Sequence, residues 1–422
     1  MKPAMRTLAI GAGAALLACA SGCSPGEVDP EPAAAEDEQD GESTADETPA
    51  AEPDDDGQDG AALTEEVFPT QYGAIRVRRV AGPFEHAWAV ALLPDERMLV
   101  TERPGRLHLV SPAGDAREVK GAPEVFAQNQ GGLLDVAVHP DFEENGWIYL
   151  TYSKPADDGE NTATALARAT LDADAPALEG LEDIFVQNRY SSPGRHYGSR
   201  LAFTGDGMLL MSIGDRGADP PRAQDLDDHA GTLLRLRDDG SVPEDNPFVG
   251  DDGAADEIYS YGHRNIQGLV VDPDDDAIWV TEHGPRGGDL LHRVEAGKNY
   301  GWPIVTRGLN YRDQEPFPHA EGRSQEGVEP PIHEFFITHA PSGLALVTSD
   351  AFSVWRGDLL AGGLRGERLR RVVLDDDVVL HEEELLHGAV GRIRDVREGE
   401  DGAIWVLTDA REGALYRVDP VE

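Results

Sequence analysis

Three polar residues, His263, Arg264 and Asn265, stand shortly before a short apolar run (Leu269-Val270-Val271), and a Gly284-Pro285 pair follows the next run (Ile278-Trp279-Val280). An imidazole can move a proton near neutral pH, and a guanidinium grips carboxylates through paired N–H groups. A Gly-Pro pair leaves its backbone exposed. The same arrangement recurs. At the equivalent station of six successive copies stand His86, Gln130, His196, Arg264 with Asn265, His339, and Arg392 with Arg394. Convergence of these groups predicts an Arg-rich polar pocket suited to a small anion carrying several carboxylates.

The copies that must position these residues share one plan. Each has a β-rich run, a turn of Pro, Asp or Gly, a second run and a third: Trp88 onward, Leu133, Arg200, Gly268, Gly343 and Arg394, with third runs at Leu107, Ala165, Thr232, Leu290, Leu369 and Ala414. No long segment carries the 3.6-residue period of a helix. Short strands repeated six times predict an all-β fold, a six-bladed β-propeller of four-stranded antiparallel blades around a central axis.

Outside the repeats the chain divides simply. Residues 1–23 read as a signal peptide, with Ala20-Ser21-Gly22-Cys23 as a lipobox in which Cys23 would be lipidated. From 24 to 62 stand fifteen acidic and no basic residues, the composition of a disordered acidic linker. Residues 63–422 form the propeller domain. The only cysteines are Cys19 and Cys23, so disulfides have no part in the mature fold. The net charge of −44 argues against nucleic acid as a partner. These features predict an exported protein, periplasmic or on the cell surface, held to the membrane only through a lipid anchor.

A set of motifs in order, Gln130-GGLLD, His196-YGSRL, Ile213-GD, Tyr261-GHRN, EHGPRGGD at 282–289, GKNYGWP at 297–303 and Arg392-IRDV, resembles the PQQ-dependent soluble glucose/sorbosone dehydrogenases, and within them the aldose sugar dehydrogenase subgroup. The resemblance implies a quinoprotein that oxidises an aldose at its anomeric carbon to the lactone. PQQ accepts the hydride, and an external acceptor, a quinone or redox protein, takes the electrons. It implies His196 as the base. Gln130, Arg264, Asn265, Arg392 and Arg394 would contact the cofactor, with Asp409 as a further position. Arg365 falls where relatives carry Lys, and the carbonyls of Gly284 and Pro285 would hold Ca²⁺ together with PQQ. Leu290 stands where some relatives place an acidic residue, which removes one candidate calcium ligand. The short segment from Gly217 suggests an open pocket with broad aldose acceptance. Two other readings compete: a calcium-dependent lactonase-like hydrolase, disfavoured by His, Gln and Arg at the axial stations, and a non-catalytic binding module on the cell surface.

Overall fold

The computed structural model describes residues 63–192 and 194–421. The signal peptide, Cys23 and the acidic linker lie outside them. The strands form six antiparallel sheets, one per predicted repeat. The strand nearest the axis is Ala87–Leu92 in the first blade, then Leu133–Val138, Leu201–Phe203, Ile266–Val271, Pro341–Leu346 and Ile393–Glu398. Each predicted third run is the third strand of its blade.

Five sheets have four strands, as expected. The sixth departs from the expectation, with the order Glu65–Thr70, Gly73–Phe84, Gly413–Val421, Ile404–Thr408, Ile393–Glu398. Gly73–Phe84 pairs with Gly413–Val421, from Ala74 opposite Val421 to Phe84 opposite Gly413. Two strands from one end of the chain therefore complete a blade begun at the other, and the ring is closed by backbone hydrogen bonds.

The core is not central. Alternating apolar residues place six clusters between adjacent blades; one, for example, joins Tyr149 and Leu166 of the second blade to Leu201 and Met211 of the third. Hydroxyls bridge the same seams: Thr101 donates to the Leu134 carbonyl at 2.6 Å and Thr151 to that of Ser199 at 2.9 Å.

Around the axis the packing is ionic instead. Arg200, 1% exposed, donates to Asp395 at 2.9 Å and to the carbonyls of Gln267 and Arg394 at 2.7 and 2.9 Å. It also lies 3.5 Å from Asp135. Arg397 bridges Asp395 and Asp135 at 3.1 and 3.0 Å. The carboxylates accept further from the amides of Val90 and Leu201. Two cations and two anions thus tie the first, second, third, fourth and sixth blades together, with the Trp88 ring against the Arg200 guanidinium at 4.1 Å.

Candidate active site

The polar stations lie at one end of the ring, where inner strands begin and second strands finish. The segment leading into Leu201–Phe203 is unusual: His196, Gly198 and Ser199 have φ of 51°, 64° and 79°. Left-handed backbone at non-glycine residues is costly and gathers at functional sites. Gly198 is required there, since a Cβ would come within 2.8 Å of the Gly214 nitrogen. Neighbouring blades fix the segment. Gln130 Oε1 accepts from the His196 amide at 2.9 Å, and Asn265 Oδ1 from that of Gly198 at 3.1 Å.

The His196 ring is buried, and its Nδ1 lies 2.6 Å from Asp215 Oδ1. Asp215 accepts further from the Gly217 amide at 2.8 Å and, on Oδ2, from Trp302 Nε1 at 2.7 Å. Burial, reinforced by the nearby Arg264 charge, pushes the His196 pKa down to about 4. Burial opposes ionisation of Asp215, but His196, Arg264 and the Trp302 N–H hold it below the usual carboxylate range. The pair at neutral pH is therefore an aspartate and a neutral imidazole. The proton sits on Nδ1, facing the carboxylate, so Nε2 keeps its lone pair. This is a general base with its tautomer set by the partner on the other nitrogen. Catalysis that uses it should hold steady through neutral pH and fall only as His196 takes a proton. A kcat/KM profile is expected to show its acid limb near pH 4, well below the limb an ordinary imidazole would give.

Arg264 supplies the complement. It is 6% exposed; its Nη1 donates to the His283 carbonyl at 3.3 Å, and its buried Nε has no hydrogen-bond partner among the described residues. Among the described residues no carboxylate forms an ion pair with it. A buried cation left so calls for an anion from outside the chain. The predicted cations at the sixth blade stand differently. Arg394 donates to Asp409 at 2.6 Å and to Gln267 at 3.3 Å, and Arg392 lies 3.8 Å from the same Asp409 oxygen. His86 Nδ1 closes on Asp409 at 3.0 Å. Burial works against the Asp409 charge, yet Arg394 beside it holds the carboxyl well below its usual range. Asp409 thus orders the two arginines. Arg365 is exposed in the turn between Leu359–Gly363 and Arg368–Asp375, whose Leu364 and Gly366 amides bond back to Ala340 and His339.

Gly284 and Pro285 are buried in a turn that Asp289 organises. Its Oδ1 accepts from the Gly284 amide at 3.1 Å, and its Oδ2 from those of His339 and Ala340 at 2.8 and 2.9 Å. A Cβ on Gly284 would meet the Gly287 carbonyl at 2.1 Å, so only glycine fits. Among the described residues no three His, Cys, Asp or Glu side chains gather as a metal cage. A cation here would draw on main-chain carbonyls and on a ligand's own oxygens.

Two expected residues stand elsewhere. His339 is fully buried against Gly363, where a Cβ would meet its ring at 2.2 Å, and its Nε2 approaches the Ala361 carbonyl at 3.2 Å. It props a turn and does not line the axis. His263 is likewise structural, stacked on Tyr300 at 4.6 Å and placed between Ser260 and Glu282. Glu282 then accepts from the Arg264 amide at 3.1 Å, seating that arginine from below. The main omission from the sequence reading is Asp215. Its motif, Ile213-GD, was visible, but nothing local paired it with His196.

Known proteins resemble this chain in sequence and in fold. The sequence profile described as "Glucose / Sorbosone dehydrogenase" matches residues 84–417. The aldose sugar dehydrogenase YliI of Escherichia coli is 40% identical over 348 residues, spanning 82% of this chain and 93% of that protein. The soluble aldose sugar dehydrogenase of Escherichia coli, solved in its apo-form, aligns with a TM-score of 0.79 at 40% identity, over 82% of this chain and 100% of that one. The PQQ-bound aldose sugar dehydrogenase of Streptomyces coelicolor aligns with a TM-score of 0.69 at 28% identity, over 83% of this chain and 99% of that one.

Proposed function

The chain belongs to the glucose/sorbosone dehydrogenase family, and from that premise we propose that it oxidises an aldose at the anomeric carbon to its lactone with PQQ and Ca²⁺. The observation that carries this reading is the pairing of a neutral, Asp215-held imidazole with a buried guanidinium that forms no ion pair among the described residues. The residues present fit the cofactor. Arg264 would meet one of its carboxylates, Arg392 and Arg394 bring further positive charge to the axis, and the Gly284 and Pro285 carbonyls suit the cation. When bound, PQQ supplies a hydride acceptor whose carbonyl Ca²⁺ polarises.

The chain's own part is positional. His196 Nε2 takes the proton from the anomeric hydroxyl, and Asp215 stabilises the imidazolium that results. Gln130 holds the His196 amide and Asn265 that of Gly198, which fixes the segment that presents the imidazole. Two electrons then leave to an external acceptor, a quinone or redox protein. We further propose export and anchoring through Cys23.

A thermal shift tests the reading with little material. PQQ with Ca²⁺ at a hundredfold excess over Kd should stabilise the folded chain by about 2.7 kcal/mol. Dye reduction should follow with several aldoses. No shift with PQQ and no reduction with any sugar would remove the proposal. Inactivation by chelator with no need of PQQ would favour the hydrolase instead.

A further inference from the structure

The GKNYGWP segment at 297–303 contributes Trp302, whose N–H was met above only as one donor to Asp215. The residue is 4% exposed. Its backbone is fixed from two directions: the amide donates to the Gly262 carbonyl at 2.8 Å, and the carbonyl accepts from Gln224 Nε2 at 2.7 Å. Phe317 packs on the ring at 4.6 Å. The indole therefore has little freedom, and it spends its one N–H on Asp215 Oδ2 at 2.7 Å. On the same ring, the Arg264 guanidinium lies 5.3 Å from the centroid.

We propose that Trp302 is a positioning residue that clamps Asp215, so that one side chain sets the sugar-facing base and the anion-facing arginine relative to each other. The physical reason is the geometry of a carboxylate. Oδ1 is held by His196 and Gly217, which leaves the group able to turn about its own axis. A donor on Oδ2 removes that rotation. With Asp215 fixed, the imidazole is fixed as well, and Nε2 points in one direction. The Arg264 contact adds a second consequence. The same ring borders the guanidinium that would meet an anion, so it sets the distance between that cation and the base.

This inference rests on His196 acting as the base, and its test separates the two claims. Trp302→Phe keeps the ring and loses the N–H. In cofactor-free protein labelled with ¹⁵N, a pH titration of the His196 imidazole should move its midpoint by about one unit relative to wild type, the size expected for one hydrogen bond to a charged group. The direction is downward, because a carboxylate freed from the indole swings away from Nδ1 and leaves the imidazolium less stabilised; a rise would mean that Asp215 stays in place without the indole, and would overturn the clamp. The charged groups facing the pair are Arg264, Arg195 and Arg216, and none is altered. Phe317→Leu disturbs the packing of the indole but keeps its N–H, and should leave the midpoint in place. With cofactor and sugar, W302F should lose about tenfold or more in kcat with little change in KM. It should lose nothing further when combined with D215N, since both remove one interaction. An unmoved midpoint, an equal movement in F317L, or losses that add in the double variant would overturn the clamp. A moved midpoint in protein that turns over no sugar would leave the clamp standing and reject the dehydrogenase reading.

Discussion

Replacing His196 should abolish turnover while leaving cofactor binding in place. General-base catalysis is worth about 10²–10⁴-fold, so kcat is expected to fall by that much or more. Affinity for PQQ should hold, because Arg264, Arg392 and Arg394 do not hydrogen-bond through the His196 side chain. The choice of substitution matters. His196 sits at φ 51°, where alanine carries a backbone cost of about 1–2 kcal/mol. Asparagine tolerates that conformation and cannot act as a base at neutral pH, so His196→Asn is the cleaner test. Steady-state kinetics beside a PQQ titration measures both halves. Wild-type turnover in H196N would assign the base to another residue, and a matching loss of PQQ affinity would make His196 a binding residue.

The largest loss of stability should come from Arg200→Met. Methionine can fill part of the space, but Asp135 and Asp395 are then left, both fully buried, with Arg397 as their remaining cation. Removing one partner of a buried ion pair costs about 3–5 kcal/mol. The carbonyls of Gln267 and Arg394 lose their donor too. Burial already raises the Asp135 pKa in the intact protein, and losing a neighbouring cation raises it further. A raised native pKa means that the folded variant binds protons more readily than the unfolded chain, which favours folding as pH falls. The deficit relative to wild type should therefore shrink between neutral and mildly acid pH. Urea unfolding at several pH values would measure it. A deficit that grows in acid would mean that the two carboxylates are not the strained groups.

The propeller was legible because its evidence is local. Each inner strand, turn and second strand lies within a short stretch, and six repeats of one pattern left little choice of architecture. The closing pair was not legible, since nothing in Gly73–Phe84 says that its partner is Gly413–Val421. The site divides along the same line. His196 and Arg264 stood at recurring stations and could be found by position. Asp215 and Trp302 reach the site from the end of a second strand and from a loop between third and fourth strands, so their roles depend on contacts 19 and 87 residues apart. His339 occupied a recurring station and was misplaced by that same logic. A repeat predicts where the backbone passes, but the open face of Gly363 lets that ring turn inward.

The joining of Gly73–Phe84 to Gly413–Val421 also decides when the molecule can be finished. Contacts this distant in sequence form late, because closing a long loop costs entropy before any pairing repays it. The hairpin has no strand to pair with on its inner edge until the nine residues of Gly413–Val421 are in place. Until then its open edge is a place for wrong partners. Folding of the sixth blade is thus an end-to-end event, and the final strand acts as a latch on the whole circle.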